Sequence, residues 1–270
     1  KHWAGFPCKS IKFFLKEANI DITQIEHITI ARDPSANVFK KIAHIVKYKT
    51  SIGAIKDRLL NKKKVSNLAQ EFSDCCEVEV SDIMAKIHNI EHHRSHMASA
   101  FFASPFKESA VLSIDAFGDF TSTMLGVGRD RKIDVLNQVN FPHSVGAFYT
   151  AFTQYLGFNH FGDEYKLMGL SPYGSPILVE QVRDVVILKD DGLFELNLDY
   201  FTHHKKGVKT KIVSESDPTP SRIFSDIMVS KFGPIRNEGD DITQYHKNLA
   251  SSIQKVTEEL IFHILNHLQK

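Results

Sequence analysis

The chain has 270 residues, enough for one large domain or two medium ones at about 100–200 residues each. Its 33 Lys and Arg nearly cancel 32 Asp and Glu, and 42% of it is hydrophobic, so it reads as an ordinary globular chain with no overall field to recruit nucleic acid or an anionic membrane. No apolar run approaches the ~20 residues that cross a bilayer and the start carries no signal-peptide pattern, so a cytoplasmic protein is expected.

In chain order, "FPCKSIKFFLKEANI" predicts a helix opened by Pro7, with Ile11, Phe14 and Leu15 as its buried stripe. "EHITIARD" predicts a short strand. From Asn37 to Asp74 the pattern is helical and highly charged, a peripheral elaboration with Ile42, Ile45, Val46, Leu59, Leu60, Leu68 and Phe72 expected on its buried side. The basic "NKKK" at Asn61 to Lys64 reads as a solvated helix end. Cys8, Cys75 and Cys76 have neither CxxC spacing nor an even count, so reduced thiols are expected.

A strand at about 85–90 leads into "EHHRSHMASAFFASPF", a helix from His92 to about Ala103 that "SPF" interrupts. "SAVLSID", "TSTMLGVG" and "IDVLNQVNF" follow as an antiparallel meander joined by the turns "AFGD" and "RDRK". Ser144 caps the next helix and Gly157 stops it. After a short helix in "FGDEYKLMGLSPYG", a hairpin turns at Asp190, Asp191 and Gly192. The last helix keeps period through Ile242, Tyr245, Leu249, Ile253, Val256, Leu260 and Ile264. Both ends of the chain read as cut.

The chemistry concentrates between Glu91 and Asp119. His92 and His96 are four residues apart, so on a helix their rings share a face and can share one metal ion; surface or capped histidines are the plainer alternative. Asp115 ends an apolar strand and is followed by Gly118 and Asp119, a frequent way to present a carboxylate to a cation. Two imidazoles and one carboxylate would leave positions open, which suits iron, zinc or manganese. The small residues Ala98, Ser99 and Ala100 would let this helix lie close to the sheet. Gly118 could let backbone amides approach a phosphate or could be the permissive residue of a hairpin-like connection, and Gly146 could do the same near a helix start or serve close helix packing. Lys166 either meets a phosphate or seals a helix end.

Taken in order, "KHWAGFP", "HHRSHMASAFFASPF", "AVLSIDAFGD", "EYKLMGLSPYG" and "ITQYHKNLASSIQKVTEEL" closely resemble the amino-terminal part of the NodU/CmcH family of O-carbamoyltransferases. The resemblance extends over nearly the whole chain and is weakest at 38–82 and 176–221. It implies a mixed α/β Kae1-type domain with the actin and sugar-kinase-like (ASKHA, ribonuclease-H-like) fold, incomplete at both ends. Residues 1–106 would form the first subdomain, with a helical insertion, and 107–270 the second.

It further implies that ATP and carbamoyl phosphate yield carbamoyl-adenylate, whose carbamoyl group passes to a hydroxyl of a sugar or secondary metabolite. By the same resemblance His92, His96 and Asp115 match metal ligands for Fe(2+) or another divalent metal. Lys1 matches a family lysine that contacts the carbamoyl-adenylate and Gly146 falls on its nucleotide-binding helix start, with Gly118 as a further candidate for binding there. Asp119 is a candidate base for the acceptor hydroxyl. The expected partners are a small-molecule acceptor and a YrdC-like domain, with neither nucleic acid nor membrane. The family's first hairpin and its Gly-Gly loop have no counterpart here, so the chain is expected to be inactive alone. A Kae1-type tRNA threonylcarbamoyltransferase and a non-catalytic nucleotide- or metal-binding remnant are the competing readings.

Overall fold

The computed structural model describes residues 6–48, 68–208, 210–212 and 218–269. Lys1, Leu59, Leu60 and the Asn61 to Lys64 run lie outside these residues.

The first part sets out α1 (Cys8–Ala18), β1 (His27–Ile30), α2 (Val38–Tyr48), α3 (Leu68–Cys76) and β2 (Lys86–Asn89). β1 and β2 pair in parallel, Ile28 opposite Ile87, so the chain between them is a crossover. α1 rests on α3: Phe6 meets Phe72 edge to face at 4.8 Å, and Lys12 reaches Glu77 at 2.9 Å. There Cys8 and Cys75, with Cα atoms 5.5 Å apart, are joined as a disulfide, which corrects the expectation of three reduced thiols. The partners are 67 residues apart, and only the packing of two helices brings them together. The helical stripes are corrected too. Phe14 is 69% exposed, Ile42 53% and Val46 73%, because α1 covers little and α2 turns His44, not its aliphatic residues, toward the rest of the protein.

The centre is α4 (His92–Phe101), β3 (Glu108–Gly118), β4 (Thr121–Arg129), β5 (Lys132–Asn140) and α5 (Val145–Tyr155). The three strands form the antiparallel meander expected from the alternation, in the order β3-β4-β5. β4 is buried along nearly its whole length because both of its faces are covered. On one face Met97 and Phe101 of α4 meet Val111 and Met124. On the other, Phe148, Phe152 and Tyr155 of α5 join Leu125, Val139 and the carboxy-terminal helix. That helix, α10, runs over Gln244–Leu268 and buries Leu249, Ile253, Val256, Leu260 and Ile264, as its period predicts.

Between α5 and α10 lie α6 (Glu164–Leu170), α7 (Val179–Arg183), β6 (Val186–Leu188), β7 (Phe194–Leu196), α8 (His203–Lys206), β8 (Thr210–Ile212), β9 (Pro218–Pro220) and α9 (Asp226–Phe232). β6 and β7 form the expected hairpin, with Gly192 in its turn at φ +77°. The architecture is mixed α/β, a central sheet between helical layers. Among the described residues no helix is long and apolar enough to cross a membrane.

Two buried histidines, His93 and His203, and the half-buried His143 make this fold acid-sensitive. Burial pushes His93, His143 and His203 down to about 4 from 6.5. The unfolded chain therefore takes up these protons near pH 6.5 and the folded protein only near 4. Stability is fully present above pH 6.5 and falls as pH drops toward 4, by about 3 kcal/mol at most for the fully buried His203 alone. Urea melts across this range should show the loss. A thiol titration of the unfolded, unreduced chain should count one cysteine, Cys76.

Candidate metal centre

α4 begins where Glu91 turns its carboxylate back to accept the Arg94 amide at 2.8 Å. Burial raises the affinity of Glu91 for its proton, and the amides it accepts only partly offset that. The stripe facing the sheet is His93, Met97 and Phe101. The Nε2–H of His93 donates to the Thr121 carbonyl at 3.0 Å, so in the neutral ring Nδ1 accepts from the Ser113 hydroxyl at 2.8 Å.

The close approach of α4 comes from the strand side. A Cβ on Gly126 would lie 2.6 Å from Met97 Cε, and one on Gly128 would lie 2.6 Å from the Phe101 ring. Ser99 and Ala100 are exposed and Ala98 only partly buried, so the small residues of α4 do not line the interface as expected.

With His93 held against the sheet, His92 and His96 occupy the neighbouring stripe, beside the end of β3. The pairing there is irregular: Ile114 pairs with Thr123 and Gly118 with Thr121, so four residue steps on β3 oppose two on β4. This bulge carries Asp115 and Ala116, and bulges commonly re-aim a side chain. The start of α5 holds the bulge in place. Ser144 donates to the Asp115 carbonyl at 3.0 Å, and a Cβ on Gly146 would lie 2.7 Å from Ala116 N and Cα. Gly146 thus has a packing role that accounts for its lack of a side chain.

The result is three converging donor atoms. His92 Nε2 lies 2.9 Å from Asp115 Oδ2 and 3.0 Å from His96 Nε2, and His96 Nε2 lies 3.5 Å from Asp115 Oδ2. Metal bonds of about 2.0–2.2 Å place neighbouring donors about 3 Å apart at right angles and about 3.4 Å apart in a tetrahedron, so these spacings fit one ion. His92 Nδ1 lies 3.4 Å from the Ala31 carbonyl, a long contact that would leave Nε2 free to ligate. Burial opposes ionisation of Asp115, but the His92 ring, the Ala116 amide and the charges of His92 and His96 outweigh it and hold the carboxyl below its usual range.

The turn after β3 completes the corner. Asp119 and Phe120 have φ of +48° and +79°, the signature of a type I′ hairpin turn. The positive φ of Phe120 is costly, and burial of its ring against Phe141 and His44 offsets it. Asp119, the candidate base, has scaffold duties: Oδ2 accepts the Asp33 amide at 2.6 Å and the His92 amide at 3.0 Å, while its carbonyl accepts from Asn37 at 3.0 Å. A Cβ on Gly118 would lie 2.0 Å from the His92 ring, so glycine is what admits that ring. Lys166 sits apart, paired with Asp163 at 2.8 Å, as the helix-end reading requires. Sequence reasoning missed Ser113, Gly126, Gly128 and the bond from the Ser144 cap to Asp115; the Gly-x-Gly on β4 was the one available signal.

The whole chain, residues 1–270, matches the family model described as carbamoyltransferase N-terminus. It is 34% identical to the uncharacterized protein sll1178 of Synechocystis sp. over 98% of this chain and 42% of that protein. It is 32% identical to nodulation protein NolNO of Sinorhizobium fredii over 99% of this chain and 34% of that protein. With nodulation protein NolO of Bradyrhizobium diazoefficiens it shares 34% identity over 67% of this chain and 29% of that protein. The chain thus spans less than half the length of each of these curated relatives.

Gly118→Ala should force the His92 ring to move and cost about 1–3 kcal/mol, as overpacking does. Urea melts check the stability, and histidine ring chemical shifts check the movement; an unmoved His92 ring would contradict the close-approach role of Gly118.

Proposed function

The chain belongs to the carbamoyltransferase N-terminus family, and on that premise we propose that it supplies the metal-holding part of an O-carbamoyltransferase. In this reading the full-length protein uses ATP and carbamoyl phosphate to form carbamoyl-adenylate. It then passes the carbamoyl group to a hydroxyl of a sugar or secondary metabolite. The domain takes the Kae1-type, actin and sugar-kinase-like fold, divided near residue 106, and works with a YrdC-like domain elsewhere in the full-length chain. The observation that carries the reading is the convergence of His92, His96 and Asp115, whose donor atoms all lie within 4.8 Å of one another. The near-balance of charge supports a small-molecule acceptor over tRNA.

The residues divide the work. His92, His96 and Asp115 would hold Fe(2+) or another divalent ion on one side, since all three come from α4 and the β3 bulge. When bound, such an ion supplies Lewis acidity to a carbonyl or phosphoryl oxygen. Asp119 acts as a positioning residue, fixing the His92 backbone and the loop after β1 with one carboxylate oxygen. Gly118 and Gly146 keep the corner compact next to where the nucleotide and carbamoyl-adenylate would lie, with Lys1 as a further contact.

The test uses the full-length protein. His96→Ala and Asp115→Asn should each weaken Fe(2+) or Co(2+) binding at least about tenfold, measured by metal analysis and by titration of the Co(2+) absorption bands. Both should also lower carbamoyl-phosphate-dependent release of pyrophosphate from ATP. Wild-type metal content in His96→Ala would sink the ligand assignment. Intact metal-free turnover would sink the metal's role. Asp119→Asn should weaken metal binding less than His96→Ala, because it touches the histidine backbone and not the ion.

A further inference from the structure

A second site is suggested by a cavity of about 350 Å³ formed by residues other than the metal corner. That volume falls at the small end of ligand pockets, about 300–1,000 Å³. α2 contributes Lys40 and Lys47, the chain around the end of β5 contributes Phe141 and His143, and the β6–β7 hairpin contributes Lys189 and Glu195.

Its charges are unevenly paired. Lys189 and Glu195 lie 3.7 Å apart and offset one another. Lys40 reaches the Asn140 amide oxygen at 3.4 Å, and Lys47 lies over the Tyr48 ring at 5.0 Å. Neither of these two ammonium groups has a carboxylate at ion-pair distance among the described residues. They are seven residues apart, two helical turns, and so share one face of α2. The remaining acid of the lining, Asp191, has one carboxylate oxygen tied to the Leu193 amide at 3.0 Å. Three lysines against two carboxylates leave the cavity one positive charge in excess.

His143 adds a directed donor. Its Nδ1 accepts the Leu196 amide at 3.0 Å, so the neutral ring carries its proton on Nε2. Among the described residues no acceptor takes that proton. Beside these donors stand Tyr48, Phe120 and Phe141, ring surfaces against which a flat group can lie.

We propose that this cavity binds a small organic anion in which a planar ring carries a carboxylate or phosphate group. The anionic end meets Lys40, Lys47 and the Nε2–H of His143, and the ring rests on the aromatic wall. Such a cluster of uncompensated donors lined by apolar surface orients a ligand as well as holding it. This assignment does not depend on carbamoyl transfer.

Phenyl phosphate, benzoate and neutral benzyl alcohol serve as probes on the full-length protein, followed by ligand-observed NMR titration. At least one of the two anions should bind about tenfold or more tightly than benzyl alcohol, and which one does identifies the anionic group. Lys47→Ala should weaken that anion at least about fivefold and leave benzyl alcohol unchanged. Lys47 is exposed on α2, so this variant should melt like the wild type. His143→Gln should weaken the anion as well. If neither anion outbinds benzyl alcohol, or if Lys47→Ala leaves the affinity intact, the proposal is wrong.

Discussion

The two hydrogen bonds of His93 set the roll of α4 on the sheet, and the metal corner depends on that roll. Neighbouring residues on a helix are about 100° apart, so a buried His93 places His92 and His96 on a flanking stripe toward Asp115. The bond to the Thr121 carbonyl requires Nε2–H, and burial keeps the ring neutral. A protonated His93 would turn the Ser113 hydroxyl from donor to acceptor and place a charge between helix and sheet. The histidine outside the candidate metal site thus decides where the other two point.

Much of this corner was legible because local periodicity governs it. The four-residue spacing of His92 and His96, the apolar run ending in Asp115, and the Ser144 cap each depend on near neighbours. What escaped the sequence depends on partners far away in it. The bulge that aims Asp115 is a mismatch between two strands, and no single strand records it. The Cys8–Cys75 pairing, the outward turn of Ile42 and Val46 and the scaffold duties of Asp119 likewise depend on what packs opposite. Gly118 shows the limit well: the sequence offered a turn or a phosphate contact as reasons for glycine there, and the room its missing side chain leaves for the His92 imidazole depends on a helix 26 residues away.

The Asp119–Phe120 turn joins the two sites described. Its first residue fixes the start of α4 through Asp119 Oδ2, and its second forms part of the aromatic wall of the lysine-lined cavity. Asn37, bonded to the Asp119 carbonyl and to Thr121, ties the start of α2 to the same turn. A shift of α2 would therefore be felt at His92 through a short chain of hydrogen bonds.

The bulge in β3 inserts an even number of residues, two beyond what its partner strand supplies. Side chains alternate with period two, so an even excess leaves Ile114 and Gly118 in phase and every core residue on its proper face. A change of one residue in this loop would invert the strand on one side of it. Related chains can therefore lengthen or shorten the loop that carries Asp115 in pairs of residues without rebuilding the sheet, which makes loop-length parity a heritable constraint on how this corner can diverge.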